Sequence, residues 1–82
     1  MTIRNRALVN TYRDVFENYA EHTLPKRLAM LTVQMAENAF DAARDEGIRP
    51  ISADAMMDIE ASIFAALCHS NGINWRYLEP FG

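Results

Sequence analysis

The chain has 82 residues, half of them apolar, and a net charge of −3. A chain of this length forms one domain with a limited core, and such small domains often gain stability by self-association. The negative charge disfavours general attraction to nucleic acid. With only three Gly and three Pro residues, the composition excludes a disordered tail.

Cysteine usage and hydropathy predict a cytoplasmic protein. Cys68 is the single cysteine and cannot form an intrachain disulfide, which favours a reducing compartment. No charged-then-apolar signal segment opens the sequence, and no apolar run approaches the ~18 residues that span a bilayer. We therefore expect a cytoplasmic chain without a membrane segment.

The first predicted element is a one-faced helix over residues 3–20. At about 100° per residue, its apolar side chains fall within an arc of about 140°. The members of this arc are Leu8, Val9, Tyr12, Val15, Phe16, Tyr19 and Ala20. Polar and charged residues occupy the other side, so the spacing predicts aromatic side chains that face a core.

The second predicted helix covers residues 25–46. Pro25 suits a first helical turn, and Gly47 favours a left-handed stop. An apolar arc of about 200° predicts a central helix that touches two neighbours. Half of the arc is alanine, which permits close approach of another backbone; the members are Leu28, Ala29, Leu31, Val33, Met35, Ala36, Ala39, Phe40, Ala42 and Ala43.

The third predicted helix covers residues 53–69. Ser52 is a good N-cap, Asp54 suits the positive end of the helix, and Asn71–Gly72 ends it. We expect the following tail, residues 73–82, to fold back over an open end of the helices; insertion into a partner is the alternative. The apolar residues of the tail are Trp75, Tyr77, Leu78 and Phe81.

These elements predict one all-α domain, residues 1–82: a three-helix bundle with antiparallel neighbours and an aromatic C-terminal tail packed back, dimerised. No strand alternation is present, and short connections between helices favour antiparallel neighbours.

The sequence predicts no enzyme, no cofactor and no metal site. Cys68 and His69 are adjacent, so on a helix they point about 100° apart and do not face each other. No zinc, calcium or phosphate-loop pattern occurs. The third helix contains no Lys or Arg and would be repelled by DNA. The rival function is a nucleic-acid-binding regulator that uses the basic first helix, with Arg4, Arg6 and Arg13.

The charges at the ends of the second helix favour a homodimer. Lys26 and Arg27 lie at its start and Asp45 and Glu46 at its end, which is the reverse of the arrangement that the helix dipole favours. Chance variation would account for this. If two copies lay antiparallel, however, these bases would meet these acids, and the alanine-rich arc would form a close seam. We therefore predict a two-fold dimer, the commonest symmetric assembly.

The third helix carries one carboxylate among large apolar side chains. With Asp58 at 0°, Ser62 and His69 lie within about 40° of it and define a wet face, whereas Glu60 lies at about 200°. The apolar residues around Glu60 split into an Ile59–Met56–Ile63 side and a Phe64–Met57–Cys68 side.

Three interpretations of Glu60 remain open at the level of sequence. The first is a structural ion pair or hydrogen bond, with partners from Arg13, Arg27, Arg44, Arg76, Tyr12, Tyr19 and Tyr77. The second is an interface, in which one apolar side faces the core and the other a second chain. The third is a functional acid with a raised pKa.

The function predicted from these patterns is that of a small non-enzymatic protein-binding module. It would act as an adaptor, regulator or inhibitor, in contact with itself and with a partner that has a basic surface. Its size also fits an inhibitor encoded by a mobile element. The residues predicted to contact a partner are Lys26, Arg27, Met30, Glu37, Asp41, Asp45, Glu46, Met57, Glu60 and Phe64.

Overall fold

The structure is a computed structural model that describes residues 6–49 and 52–75. Three α-helices follow one another in this part of the chain: α1 (Arg6–Asn18), α2 (Leu24–Asp45) and α3 (Ala53–Ser70). The predicted all-α class, the number of helices and their order are confirmed. The predicted first helix extends two residues too far at its C-terminal end, and its start at residue 3 lies outside the described residues.

Side-chain caps and left-handed glycines set the helix ends. The Ser52 hydroxyl oxygen accepts a hydrogen bond from the Ala55 N–H at 3.1 Å, which confirms the predicted cap of α3. Gly47 and Gly72 have φ angles of +78° and +71° and follow α2 and α3, as their predicted role as stops requires. The cap of α2 is Thr23, which lies two residues before Pro25.

The core lies where all three helices meet. The rings of Tyr12 from α1 and Phe64 from α3 lie 5.5 Å apart, and Phe64 has no exposed surface. Removal of a buried Phe costs about 3–5 kcal/mol, so this ring is a large part of a small core. The full buried cluster is Leu8, Val9, Tyr12, Val15, Tyr19, Leu28, Ala29, Ala61, Phe64 and Cys68.

The chain after α3 packs back on this core, as predicted for the start of the tail. Ile73 and Trp75 both pack against the buried cluster. The other apolar tail residues, Tyr77, Leu78 and Phe81, lie outside the described residues.

The central position predicted for the second helix belongs instead to α3. Helix α3 packs extensively against both other helices, whereas α1 and α2 contact each other less. Part of the wide apolar arc of α2 faces away from the bundle: Leu31 and Met35 are 42% and 43% exposed, and Leu24, which precedes the arc, is 42% exposed. Helix α2 does contact two neighbours, as predicted, but its apolar arc is wider than these contacts need and leaves an apolar surface exposed. In the described residues, none of the helices is long and apolar enough to cross a membrane.

Candidate protein-binding surfaces

The edge of α3 that faces the core differs from the predicted one. Asp58 is only 5% exposed, so the prediction that it lies on a wet face is wrong, whereas Ile59 is 37% exposed. The buried line contains the small residues Ala55 and Ala61. Small side chains allow two helices to pack closely. Large apolar residues occupy most of the circumference of α3, so their positions alone do not indicate which edge is buried.

The two apolar sides of α3 have different environments. Phe64 and Cys68 are fully buried in the subunit's own core, and Met57 packs against the same cluster. This corrects the assignment of Phe64 to a partner surface, because contacts within the chain cover it completely; Met57 remains partly exposed. The opposite side, represented by Ile59 and Met56, stays partly exposed.

Glu60 lies between these two sides and close to groups on both other helices. It is half-buried, and its pKa is raised by burial and then by the charge of Glu37 on α2. Burial, and secondly the charge of Glu60, raise the pKa of Tyr12 on α1. Glu60 is therefore a carboxylate at the junction of the three helices, with a second carboxylate beside it.

A structural ion pair for Glu60 is not found among the described residues. In that part of the chain the single ion pair joins Arg44 to Asp41, at 3.0 Å within α2. Two of the predicted partners, Arg76 and Tyr77, lie outside the described residues. Among the described residues, neither Glu37 nor Glu60 takes part in an ion pair.

Lys26 has a structural role within its own subunit. Its ammonium group lies 4.4 Å from the centre of the Phe16 ring and donates a hydrogen bond to the Phe16 carbonyl, in the last turn of α1. A cation at that place stabilises α1, because the C-terminal end of a helix carries a partial negative charge. Lys26 lies unfavourably at the start of α2 but stabilises the end of the preceding helix.

The other charged residues predicted at the ends of α2 are accessible. Arg27, Asp45 and Glu46 are all exposed. Arg27 and Asp45 are 18 positions apart, or five helical turns, so they lie on the same edge of α2. Arg27 is therefore the base that remains available to an acid of a second chain.

An apolar line runs along the outer face of α2, and we call it the α2 stripe. Its five members lie within about 80° of one another by helical spacing: Leu24, Leu31, Met35, Ala39 and Ala42. All five are exposed. The alanines at positions 29 and 36 are fully buried within the chain, so only part of the predicted alanine-rich seam is accessible to another chain.

A cleft opens where α2 ends and α3 begins. Its volume is about 210 Å³. The apolar lining consists of Phe40, Ala43, Ile48 and Met56, and the charged lining of Asp41, Arg44 and Arg49. Helical periodicity cannot indicate this cleft, because it is formed by two helix ends and the loop between them.

The groups considered for catalysis do not come together. Cys68 is fully buried, and burial raises the pKa of its thiol to about 11, so it stays protonated at neutral pH. His69, the next residue, is exposed. Among the described residues, no three His, Cys, Asp or Glu side chains are grouped so that they could hold a metal ion.

Of the residues predicted to contact a partner, the structure thus groups two sets on different faces. Arg27, Asp45 and Glu46 accompany the α2 stripe, while Met30, Glu37 and Asp41 follow another face of α2, near Glu60. No family model, curated protein or solved structure matches the chain.

Proposed function

We propose that this chain is a non-enzymatic protein-binding module that acts as a two-fold homodimer through the α2 stripe. A protein of this kind works by occupying a surface, as an adaptor, regulator or inhibitor does. The burial of Cys68 away from His69 favours binding over thiol chemistry.

The observation that carries the proposal is the order of side-chain sizes along the stripe. Large side chains occupy its N-terminal part, with Leu24, Leu31 and Met35, and alanines occupy its C-terminal part, with Ala39 and Ala42. Only an antiparallel pairing places the large half of one helix on the small half of the other. This is the self-complementarity that a two-fold interface requires.

The register of such a pair follows from the stripe. If the two-fold axis passes beside Met35, the side chain of Leu31 on one copy faces Ala39 on the other. Arg27 then comes level with position 43 of the second helix, about 3 Å along the axis from Asp45, within reach of a long side chain. Exposed ion pairs of this type contribute about 0.2–1 kcal/mol, so apolar contact would carry most of the affinity.

The test compares two methionines on different faces of α2. Met30 and Met35 are equally exposed, at 43% each. Met35→Glu places two like charges beside the proposed axis, whereas Met30→Glu adds the same charge elsewhere. Sedimentation at tens of micromolar protein should give a dimer for the native chain and for Met30→Glu, and a monomer for Met35→Glu.

A native chain that sediments as a monomer in both low and high salt contradicts the homodimer. Equal loss of the dimer in both variants would instead place the interface away from the stripe. Circular dichroism of each variant shows whether the helices are retained.

A further inference from the structure

We infer that the groove between α2 and α3 binds a basic amphipathic helix of a partner protein, with an apolar side chain in the cleft and a Lys or Arg at Glu37 and Glu60. This inference names the partner chemistry of the proposed module and so rests on that function. We call the surface the α2–α3 groove; it comprises Glu37, Phe40, Met56, Glu60 and Ile63.

The lining of the cleft shows that these edges of α2 and α3 adjoin, and the raised pKa of Glu60 agrees with it. Phe40 and Asp41 of α2 line the same cleft as Met56 of α3. One turn further along each helix, the charge of Glu37 acts on Glu60. The cleft and the acid pair therefore belong to one continuous groove.

The groove continues as an apolar surface beyond the acid pair. Met30 lies two turns before Glu37 on the same face of α2 and is 43% exposed. On α3, Ile63 lies one turn beyond Glu60 and is half-buried, and Ile59 is 37% exposed. Exposed apolar groups on both walls are typical of a surface that receives an amphipathic helix.

The cleft has the size of an anchor site. Its volume of about 210 Å³ is below the range of roughly 300–1,000 Å³ typical of small-molecule pockets. A single large apolar side chain, such as Leu or Phe, fits a space of this size better than a whole cofactor. At its rim Arg44 is paired with Asp41, and the exposed Arg49 adds one cation, so the anchor in the cleft should be uncharged and the basic residue of the partner should lie at Glu37 and Glu60.

The acid pair determines the charge of the partner. Glu37 and Glu60 repel each other, and burial of Glu60 adds to this cost, which is why the pKa of Glu60 is raised. A cation of the partner placed between the two carboxylates would remove the repulsion. An anionic or neutral ligand would leave it in place.

The spacing of the two features defines the partner helix. Phe40 lies three residues after Glu37, and Met56 four residues before Glu60, so about one turn of helix separates the anchor from the acids. The partner should carry an apolar anchor and a Lys or Arg three or four positions away, on the same face.

The probe is a fluorescent helix-forming peptide of about four turns, built from Ala, Leu and Lys, with one Phe anchor a turn from two lysines. We expect saturable binding in the micromolar range by fluorescence anisotropy. Glu60→Gln and Glu37→Gln should each weaken binding about two- to fivefold, and Glu17→Gln, an exposed acid on α1, should have no effect. A peptide with Glu in place of Lys should not bind.

Methionine methyl NMR localises the bound peptide. Four of the five methionines report on different places: Met56 lies in the groove, Met30 beside it, Met35 on the α2 stripe, and Met57 against the core. Peptide should shift the Met56 and Met30 signals and leave Met35 unchanged. The same titration of Met35→Glu separates this inference from the homodimer, because the groove should bind peptide whether or not the chain dimerises.

Three results would overturn the inference. The first is an equal loss of affinity in Glu17→Gln and Glu60→Gln, which would mean diffuse attraction to an acidic chain. The second is saturable binding that shifts the Met35 signal but not the Met56 signal. The third is no saturable binding of the peptide to any variant. Unchanged Met57 signals in the Gln variants verify that their cores are intact.

Discussion

Glu60 carries a charge that opposes folding at neutral pH. Burial and the neighbouring Glu37 raise its pKa in the folded chain above the ordinary value of 4.5, so the native state binds a proton more tightly than the unfolded state. The stabilisation from this proton is complete below the unfolded pKa and is lost as the pH rises through the folded pKa.

Glu60→Gln should therefore stabilise the chain at pH 7 and have no effect near pH 3, well below the unfolded pKa, where both states are protonated. Because water screens a half-exposed group, we expect a gain of only about 0.5 kcal/mol. Urea unfolding at the two pH values measures the difference. Glu17→Gln is the control, and a gain from Glu60→Gln that is the same at both pH values would contradict the electrostatic cause.

Two of the carboxylates of α3, Asp58 and Glu60, show what residue patterns can and cannot predict. Spacing indicates that Glu60 differs from its neighbours, and its raised pKa agrees with that. The same spacing places Asp58 in water, yet it is 5% exposed. A helical wheel drawn for one helix contains no information about neighbouring helices. In the structure, the edge of α3 that packs closely contains the small residues Ala55 and Ala61.

At the scale of the element, two hydroxyl caps define where α2 and α3 begin. Thr23 accepts a hydrogen bond from the Lys26 N–H at 3.4 Å and donates one to the Ala20 carbonyl at 2.7 Å. Ser52 makes the shorter cap contact, 3.1 Å to Ala55. Both satisfy helix N–H groups that would otherwise lack an intrahelical partner.

Ser52→Ala and Thr23→Ala should each cost about 0.5–2 kcal/mol of stability, as measured by chemical unfolding. Thr11→Ala is the matched control, since the Thr11 hydroxyl donates to the Ala7 carbonyl inside α1. Such internal bonds slightly weaken a helix, so its removal should be neutral or stabilising. Equal losses in all three variants would show that hydroxyl removal, and not capping, is responsible.

Helix ends were predictable to the extent that local chemistry determines them. Ser52, Gly47 and Gly72 act as their residue types suggest, because caps and left-handed stops depend on a few adjacent residues. Thr23 was not predicted as a cap, because the sequence prediction placed the start of α2 at Pro25. The role of Lys26 is not predictable from local sequence, because its contacts lie on α1, ten positions earlier.

At the scale of the whole molecule, self-association links stability to concentration. If folded chains pair through the α2 stripe, mass action stabilises the folded state as concentration rises. The melting temperature of the native chain should then increase over a hundredfold range of concentration, while that of Met35→Glu stays constant. Scanning fluorimetry or calorimetry measures both, and a native melting temperature independent of concentration argues against the dimer.

The fold class followed from periodicity, but the arrangement of the helices did not. The sequence correctly shows that α2 has more apolar surface than one contact needs. It cannot show that α3 takes the central place, because burial depends on how far each helix approaches the others. The cleft beside Met56 likewise arises from tertiary contact between helix ends.

Lys26 is the only lysine of the chain. Acetylation and other acylations of a lysine side chain therefore act on the turn between α1 and α2, where the ammonium group lies on Phe16 and binds its carbonyl. Acylation would neutralise the cation at the end of α1 and weaken the contact with the ring. An enzyme that acylates Nζ of Lys26 would thus weaken the contact between the end of α1 and the start of α2.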